Sequence, residues 1–175
     1  LGAASNKLTL TDATLLANQS LVLNHQLDIV NQATLDSAAN TLTVDSVVAG
    51  GSLVKTGTGV VELANANNAQ SETVVNQGIL QVSNNNNLGV AAAKVVLNGG
   101  IFQSIATQSY ARDFTVGVNH GTVDVLADTT VTLANTIDGA GRLNKTGTGV
   151  LVLAGNNSYQ GGTAVNAGTL VVNSA

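Results

Sequence analysis

The feature that most constrains this chain is an internal repeat. Residues 51–84 align without a gap with residues 141–174, at a constant shift of 90 residues, and 18 of the 34 positions are identical. The pattern LxKTGTGV at residues 53–60 returns at 143–150, and TxVNxGxLxV at residues 73–82 returns at 163–172. A chain that repeats itself this closely is expected to build one local structure twice.

A shorter period runs through the whole chain. Apolar residues recur in alternating triplets, which are Leu42/Val44, Val61/Leu63, Leu80/Val82, Val95/Leu97, Phe114/Val116, Val131/Leu133, Leu151/Leu153 and Leu170/Val172. The steps between these triplets are 19, 19, 15, 19, 17, 20 and 19 residues. Alternation of this kind is typical of half-buried strands, and no segment has the spacing of an amphipathic helix.

The triplets predict an all-β fold of the solenoid type. A period of roughly 19 residues is too short for a propeller blade, and it matches one coil made of a strand, a turn, a second strand and a second turn. The chain then forms about eight or nine coils, stacked through parallel strands. We interpret residues 1–175 as a single β-helix segment with internal repeats at approximately 34–84 and 122–174.

Composition agrees with a narrow solenoid and excludes several classes of partner. Only 9% of residues are charged and the net charge is −4, so the chain lacks the basic surface that nucleic acid requires. Cysteine is absent, which removes disulfides and thiolate metal sites, and no apolar run is long enough to span a membrane. Met is also absent, so we interpret the sequence as an internal segment of a longer polypeptide.

The sequence from 139 to 170 resembles a known family. The run GAGRLNKTGTGVLVLAGNNSYQGGT followed by VNAGTL, together with NNLG at 86–89 and LNGGIFQ at 97–103, is similar to the passenger-associated transport repeat of Gram-negative autotransporters, the type V secreted proteins. The resemblance implies a right-handed parallel β-helix passenger that is exported across both membranes. It also implies a C-terminal β-barrel translocator on the same polypeptide, outside this segment, and a location on the bacterial cell surface or in the medium.

The repeat motif gives the candidate site residues, all with an expected structural role. They are Gly57, Gly59, Gly78, Gly141, Lys145, Gly147, Gly149, Tyr159, Thr163 and Gly168. The first copy departs from the family pattern at Asn65, Ala69, Ser71 and Glu72, where the second has Gly155, Tyr159, Gly161 and Gly162. We expect Tyr159 to cover a coil edge. For Lys55 and Lys145, which precede the Gly-Thr-Gly runs, we expect either a charge that blocks edge pairing or a cap on a backbone carbonyl.

The sequence offers no constellation that predicts catalysis, a cofactor or a metal. His25 and His120 follow asparagines in what we interpret as surface turns, and the glycine-rich runs lack the following helix of a phosphate site. The most serious enzymatic alternative is a polysaccharide-cleaving β-helix, for which the candidates are Asp36 with Asp45, or Asp124 with Asp128 and Arg112. These acids are expected at turn-like positions, as solubilising charges.

The sequence therefore favours a non-enzymatic stalk of an autotransporter passenger, one that aids secretion and folding and presents an adhesive or effector region. The alternative is that the segment is itself an adhesin or self-association module, with a host surface, a glycan or another copy of itself as partner. An enzyme is the least favoured reading, and neither nucleic acid nor membrane insertion is expected. Because its repeat signal is stronger, the second copy is expected to be more stable than residues 1–40.

Overall fold

The computed structural model describes residues 1–3 and 5–173 and consists of strands, turns and one short 3-10 helix, Asn85–Leu88. The strands in chain order are β1 Leu8–Leu16, β2 Leu21–Leu23, β3 Leu27–Asp36, β4 Thr41–Val44, β5 Val48–Thr56, β6 Val60–Leu63, β7 Ala69–Val75, β8 Ile79–Val82, β9 Lys94–Leu97, β10 Ile101–Ser104, β11 Gln108–Tyr110, β12 Phe114–Val116, β13 Gly121–Val125, β14 Thr130–Leu133, β15 Ile137–Asp138, β16 Leu143–Thr146, β17 Val150–Leu153, β18 Thr163–Val165 and β19 Thr169–Val172.

These strands form three parallel sheets that run along the molecule. Sheet A has the order β1-β3-β5-β7-β9-β12-β15, sheet B the order β2-β4-β6-β8-β10-β13-β16-β18, and sheet C the order β11-β14-β17-β19. The eight strands of sheet B define eight coils. The prediction of an all-β solenoid is confirmed, and so is the expected parallel pairing of β6 with β8 in adjacent coils.

The core lies inside the tube that the three sheets enclose. Strands such as β4, β6, β8 and β17 alternate between half-buried and buried residues, so every second side chain points inward. The inward residues stack on one another from coil to coil, as Leu42, Val61 and Leu80 do in sheet B, and each of these three is fully buried. The alternating triplets of the sequence are therefore the inner wall of the solenoid.

Each coil has three faces rather than the two strands that the period predicted. In the first half, the third face is built by the first residues of the long strands β3 and β5, which bend at Asn31 (φ 64°) and Gly50 (φ 104°) before they continue in sheet A. The coil length also varies, from 19 residues between Leu63 and Val82 to 23 between Tyr110 and Leu133. A corner can lengthen without disturbing the strands that flank it, because only the strands must stay in register.

The two copies of the repeat do not lie on the same faces. The strands of the first copy, β5 to β8, belong to sheets A and B, whereas their counterparts β16 to β19 belong to sheets B and C. From β5 the stack in sheet A passes β7, β9, β12 and β15 before the chain reaches β16, which lies on the next face. The shift of 90 residues thus corresponds to four coils and one further face.

Candidate functional site: the lysine corners

The conserved pattern of the first copy builds a corner around a buried lysine. Lys55 ends β5 with a fully buried side chain. Its Nζ donates to the carbonyl oxygens of Thr56 at 2.6 Å, Gly57 at 2.7 Å and Gln77 at 3.1 Å, and to the Ser37 hydroxyl at 3.0 Å. The ammonium therefore ties together three successive coils, one below its own and one above.

The second copy repeats this arrangement. Lys145 is fully buried at the end of β16, and its Nζ donates to the carbonyl oxygens of Thr146 at 2.6 Å, Gly147 at 2.7 Å and Ala167 at 3.2 Å. Carbonyls that turn inward at a corner have no strand partner, and an unsatisfied buried carbonyl costs about 1–3 kcal/mol. A lysine at this position satisfies three of them at once.

Two glycines in each copy make the corner possible. Gly57 and Gly147 follow the lysine strand with φ of 75° and 70°, in the left-handed region that β-branched residues avoid. Gly78 and Gly168, each with φ 68°, lie one coil further along, directly over the carbonyl oxygens of the corner glycines. A Cβ atom on Gly78 would also lie 2.8 Å from the Lys55 Nζ. Backbone carbonyls leave no room for a side chain at Gly59, Gly149 or Gly141 either.

Burial changes the acidity of both lysines. It lowers the pKa of Lys55 to about 8, while the charge of Asp36 acts in the opposite direction. Burial likewise lowers the pKa of Lys145, with Asp124 opposing the shift. Desolvation penalises the ammonium form, and an aspartate one coil below each lysine partly offsets this penalty. Of the two roles expected for these lysines, capping of carbonyls is the one observed, and blocking of an edge is wrong because neither side chain reaches the surface.

The remaining motif residues lie at the last coil. The Tyr159 side chain is half-buried, packs against the hydrophobic core and shares a hydrogen bond with the Thr163 hydroxyl. Thr163 begins β18, which pairs with β16. Tyr159 thus covers the inward residues at the open end of the stack, as its expected position over a coil edge requires.

A third buried cation lies between the two copies and was not recognised from the sequence as structural. Arg112 is 1% exposed, and its guanidinium donates to the carbonyl oxygens of Asn85 at 2.7 Å, Leu88 at 2.8 Å and Ala93 at 2.9 Å, and to the Asn85 side chain at 2.9 Å. It holds the 3-10 helix and the loop that follows it. Burial lowers its pKa, and the neighbouring Tyr110 opposes the shift.

Aromatic residues fill the core beside Arg112. The ring of Phe102 packs edge-on against Tyr110, with centroids 5.0 Å apart, and against Phe114 at 5.3 Å. The Tyr110 hydroxyl is hydrogen-bonded to Ser104 at 2.7 Å, and burial raises the pKa of Tyr110 to about 12. Three of the four aromatic residues of the chain therefore stabilise the joint between the two repeats.

The outer surface of sheet B carries a ladder of polar side chains. In register from β4 to β16 they are Thr43, Glu62, Gln81, Gln103, Asp124 and Thr146. Hydrogen bonds join Thr43 to Glu62, and Gln81 through Gln103 and Asp124 to Thr146, at 2.6 to 3.1 Å. We call these six residues the outer ladder. Such pairs fix the rotamers of neighbouring side chains, so the outer ladder is an ordered surface.

The candidates for catalysis are not brought together. Arg112 is in the interior, Asp124 is in the outer ladder, and Asp128 is in a turn with φ 59°. Asp36 ends β3 and accepts a hydrogen bond from the Ala38 amide, so the expectation that all these acids lie in turns is wrong for Asp36 and Asp124, which lie in strands. His120 accepts a hydrogen bond from the Arg142 amide, and His25 contacts the Gly2 carbonyl.

Two searches of the described ranges gave no further site. Among residues 1–3 and 5–173, no three side chains of His, Cys, Asp or Glu form a group that could hold a metal ion. Over the same part of the chain, no helix has the length and apolar character needed to cross a membrane. The lysine corners and the outer ladder are therefore the features on which a functional reading depends.

Comparison with known proteins gives two matches. Residues 53–82 and 143–172 each match the family described as passenger-associated-transport-repeat. The chain is also 36% identical over 148 residues, which is 83% of its length, to a protein named adhesin BmaC autotransporter from Brucella suis biovar 1 (strain 1330). The aligned part spans 4% of that relative's length. No solved structure matches the chain.

Proposed function

This chain is a segment of an autotransporter passenger with two passenger-associated transport repeats, and from that premise we propose that it serves as the structural stalk of a passenger on the bacterial surface. The observation that supports this role most directly is the continuous stack of eight coils with capped interior corners. A rod of this kind holds an adhesive or effector region away from the cell. The full polypeptide carries a C-terminal translocator in this proposal.

The stalk also aids secretion by folding coil by coil. Each coil leaves parallel strand edges on which the next one pairs, so the free energy of stacking is released progressively as the chain emerges. The lysine corners contribute because each ammonium bonds carbonyls in its own coil and in the following coil. A coil that has just formed is thereby fixed to the one before it, which opposes backward movement of the chain.

The test uses the full-length polypeptide in its own host. Deletion of residues 141–174 is expected to lower the amount of protease-resistant passenger on the surface, while the translocator reaches the outer membrane as before. A point variant, Gly147→Val, is expected to act in the same direction because it disturbs one corner. The matched control is Thr148→Val, which changes the neighbouring, exposed residue.

Surface passenger at the parental level after the deletion would refute a role in secretion and leave only a spacer. Equal losses for Gly147→Val and Thr148→Val would show that the corner itself is not responsible. Both measurements compare protease-resistant passenger with the amount of inserted translocator in the same cells, so a change in expression does not imitate the effect.

A second function, adhesion by this segment itself, is favoured by the name of the similar protein and by the outer ladder. In this alternative the ordered amide and carboxylate groups of sheet B bind a host surface, a glycan or another copy. Purified protein would bind cells or self-associate, and Gln81→Lys with Gln103→Lys would reduce that binding. Thr132→Lys, on the outer side of sheet C, is the control. Absence of binding and a monomeric state favour the stalk.

An enzymatic role is not part of the proposal. The relative is named an adhesin, and the acidic residues considered for cleavage of polysaccharides lie on separate parts of the solenoid. Incubation of the purified chain with acidic polysaccharides is expected to release no reducing sugar. Release of sugar that is lost in Asp124→Asn would overturn this view.

A further inference from the structure

The last coil ends in an apolar pocket whose counterpart in the first copy is occupied. The pocket is lined by Leu153, Tyr159, Thr163, Leu170 and Val172, among others. Val172 is 58% exposed, whereas Val82, its counterpart at the shift of 90 residues, is fully buried. The two copies thus present the same surface, covered in one case and open in the other.

The segment that covers the first copy is residues 84–104. Its 3-10 helix contacts β7 and β8, and Leu88, at the end of that helix, is fully buried in the hydrophobic core. The segment then continues through β9, which pairs with β7, to β10, which pairs with β8 in parallel. A leucine delivered by a short helix is therefore the group that closes this surface.

Polar contacts fix the same segment in place. The Asn87 carbonyl accepts hydrogen bonds from Asn68 at 2.8 Å and from Gln70 at 3.3 Å. The Asn84 side chain caps the 3-10 helix, and the Asn87 amide oxygen accepts from the Asn84 backbone. In the second copy the position of Gln70 is held by Gln160, which is exposed and keeps the same amide donor.

We propose that the pocket at the last coil is a docking site for a polypeptide segment with the chemistry of residues 84–104. Such a segment has an Asn-Asn-Leu-Gly turn that inserts its leucine between Tyr159 and Val172, followed by a strand that pairs with β19. The argument is continuity with an interface that the chain already contains. It depends on repeat geometry alone, so it stands or falls separately from the role at the cell surface.

The experiment appends residues 84–104 directly after Asn173 of the full chain, which places the second Asn84 in the same position relative to β19 as the first has relative to β8. Hydrogen exchange of the β19 amides is measured with and without the appended segment. The added segment is tethered, so its effective concentration is high and docking does not depend on weak binding in trans. We expect exchange of β19 to slow at least tenfold.

The matched control is the same extended chain with Asp in place of the appended copy of Leu88. A charged side chain cannot enter the pocket without a large desolvation penalty, so exchange of β19 is expected to stay at the level of the parent chain. Equal protection by the Leu and Asp versions would overturn the proposal, and so would exchange in the Leu version that matches the parent. Exchange of β6 reports whether the rest of the chain remains folded in each case.

Discussion

The two copies of the repeat share 18 of 34 residues and differ in what surrounds them. In the first copy, the inward residues Leu80 and Val82 are fully buried beneath the next coil, and Lys55 has four hydrogen-bond acceptors. In the second copy, Leu170 is half-buried, β18 and β19 have no buried residue, and Lys145 donates to three carbonyls. Identical sequence therefore has a different energetic weight in each place.

This difference shows that stability in a solenoid belongs to the interface between coils rather than to the repeat itself. The stronger repeat signal favoured the second copy as the more stable half. Burial instead favours the first copy, because each of its strands has a neighbour on both sides. Four experiments follow that would break or sharpen this comparison.

The largest difference is expected between Gly78→Val and Gly168→Val. Both glycines have φ 68° and lie against carbonyl oxygens, so valine is strained at either position. At Gly78 the coils above and below prevent relaxation, and we expect a loss of about 3 kcal/mol in the free energy of unfolding. At Gly168 the last coil can shift, and we expect about 1 kcal/mol. Urea denaturation measures both, and equal losses would show that coverage is irrelevant.

Hydrogen exchange compares the same strands without mutation. Amides of β8 are expected to exchange about a hundredfold more slowly than those of β19, because β8 lies between β6 and β10 whereas β19 pairs on one side with β17. The measurement is native-state exchange followed by NMR. Faster exchange in β8 than in β19 would restore the ranking that the repeat signal predicted.

Removal of the lysines tests the corners themselves. Lys55→Met leaves the carbonyls of Thr56, Gly57 and Gln77 without their donor, and we expect a loss of about 2 kcal/mol. Lys145→Met is expected to cost about 1 kcal/mol, because water reaches the last coil. The control is Lys94→Met, which removes a half-exposed lysine from a surface ion pair with Glu72 and should change stability little. A gain in stability for Lys55→Met would contradict a capping role.

The smallest effect concerns pH. The pKa of Lys55 in the folded chain is about 8, below its ordinary value of 10.5, so between these values the unfolded chain binds more protons than the folded one. The contribution of Lys55 to stability therefore rises as the pH increases from 8 toward 10.5. Chemical denaturation at several pH values in this range is expected to show the rise in the parent chain and a smaller one in Lys55→Met. An identical dependence in both proteins would mean that Lys55 titrates normally.

Much of the fold could be read from the sequence because strands in a solenoid repeat their alternation locally. The triplets at Leu42 and Leu80 predict strands of one sheet, and they are strands of one sheet. The irregular steps of 15 and 17 residues carried information that the uniform period concealed. They occur where the triplets leave sheet B for sheet A and sheet A for sheet C, since each of these steps spans two faces instead of three.

The site was less accessible to sequence reasoning. A lysine before a glycine turn reads as a surface charge, and its burial depends on carbonyls that stacking brings together from other coils. Arg112 carried no local signal at all, because its acceptors lie 19 to 27 residues earlier in the chain. The one clue was arithmetic: a chain with six Lys and Arg residues that buries three of them must use them as internal donors.

The displacement of the second copy by one face has a consequence for longer arrays. Units of 90 residues that each advance by four coils and one face return to the same orientation after three units, or thirteen coils, which is about 60 Å of rod. A tandem array is then a screw with threefold character, and any loop carried by every unit points successively in three directions around the axis. Contact with a surface does not depend on how such a rod is rotated, and its resistance to bending is the same in every direction.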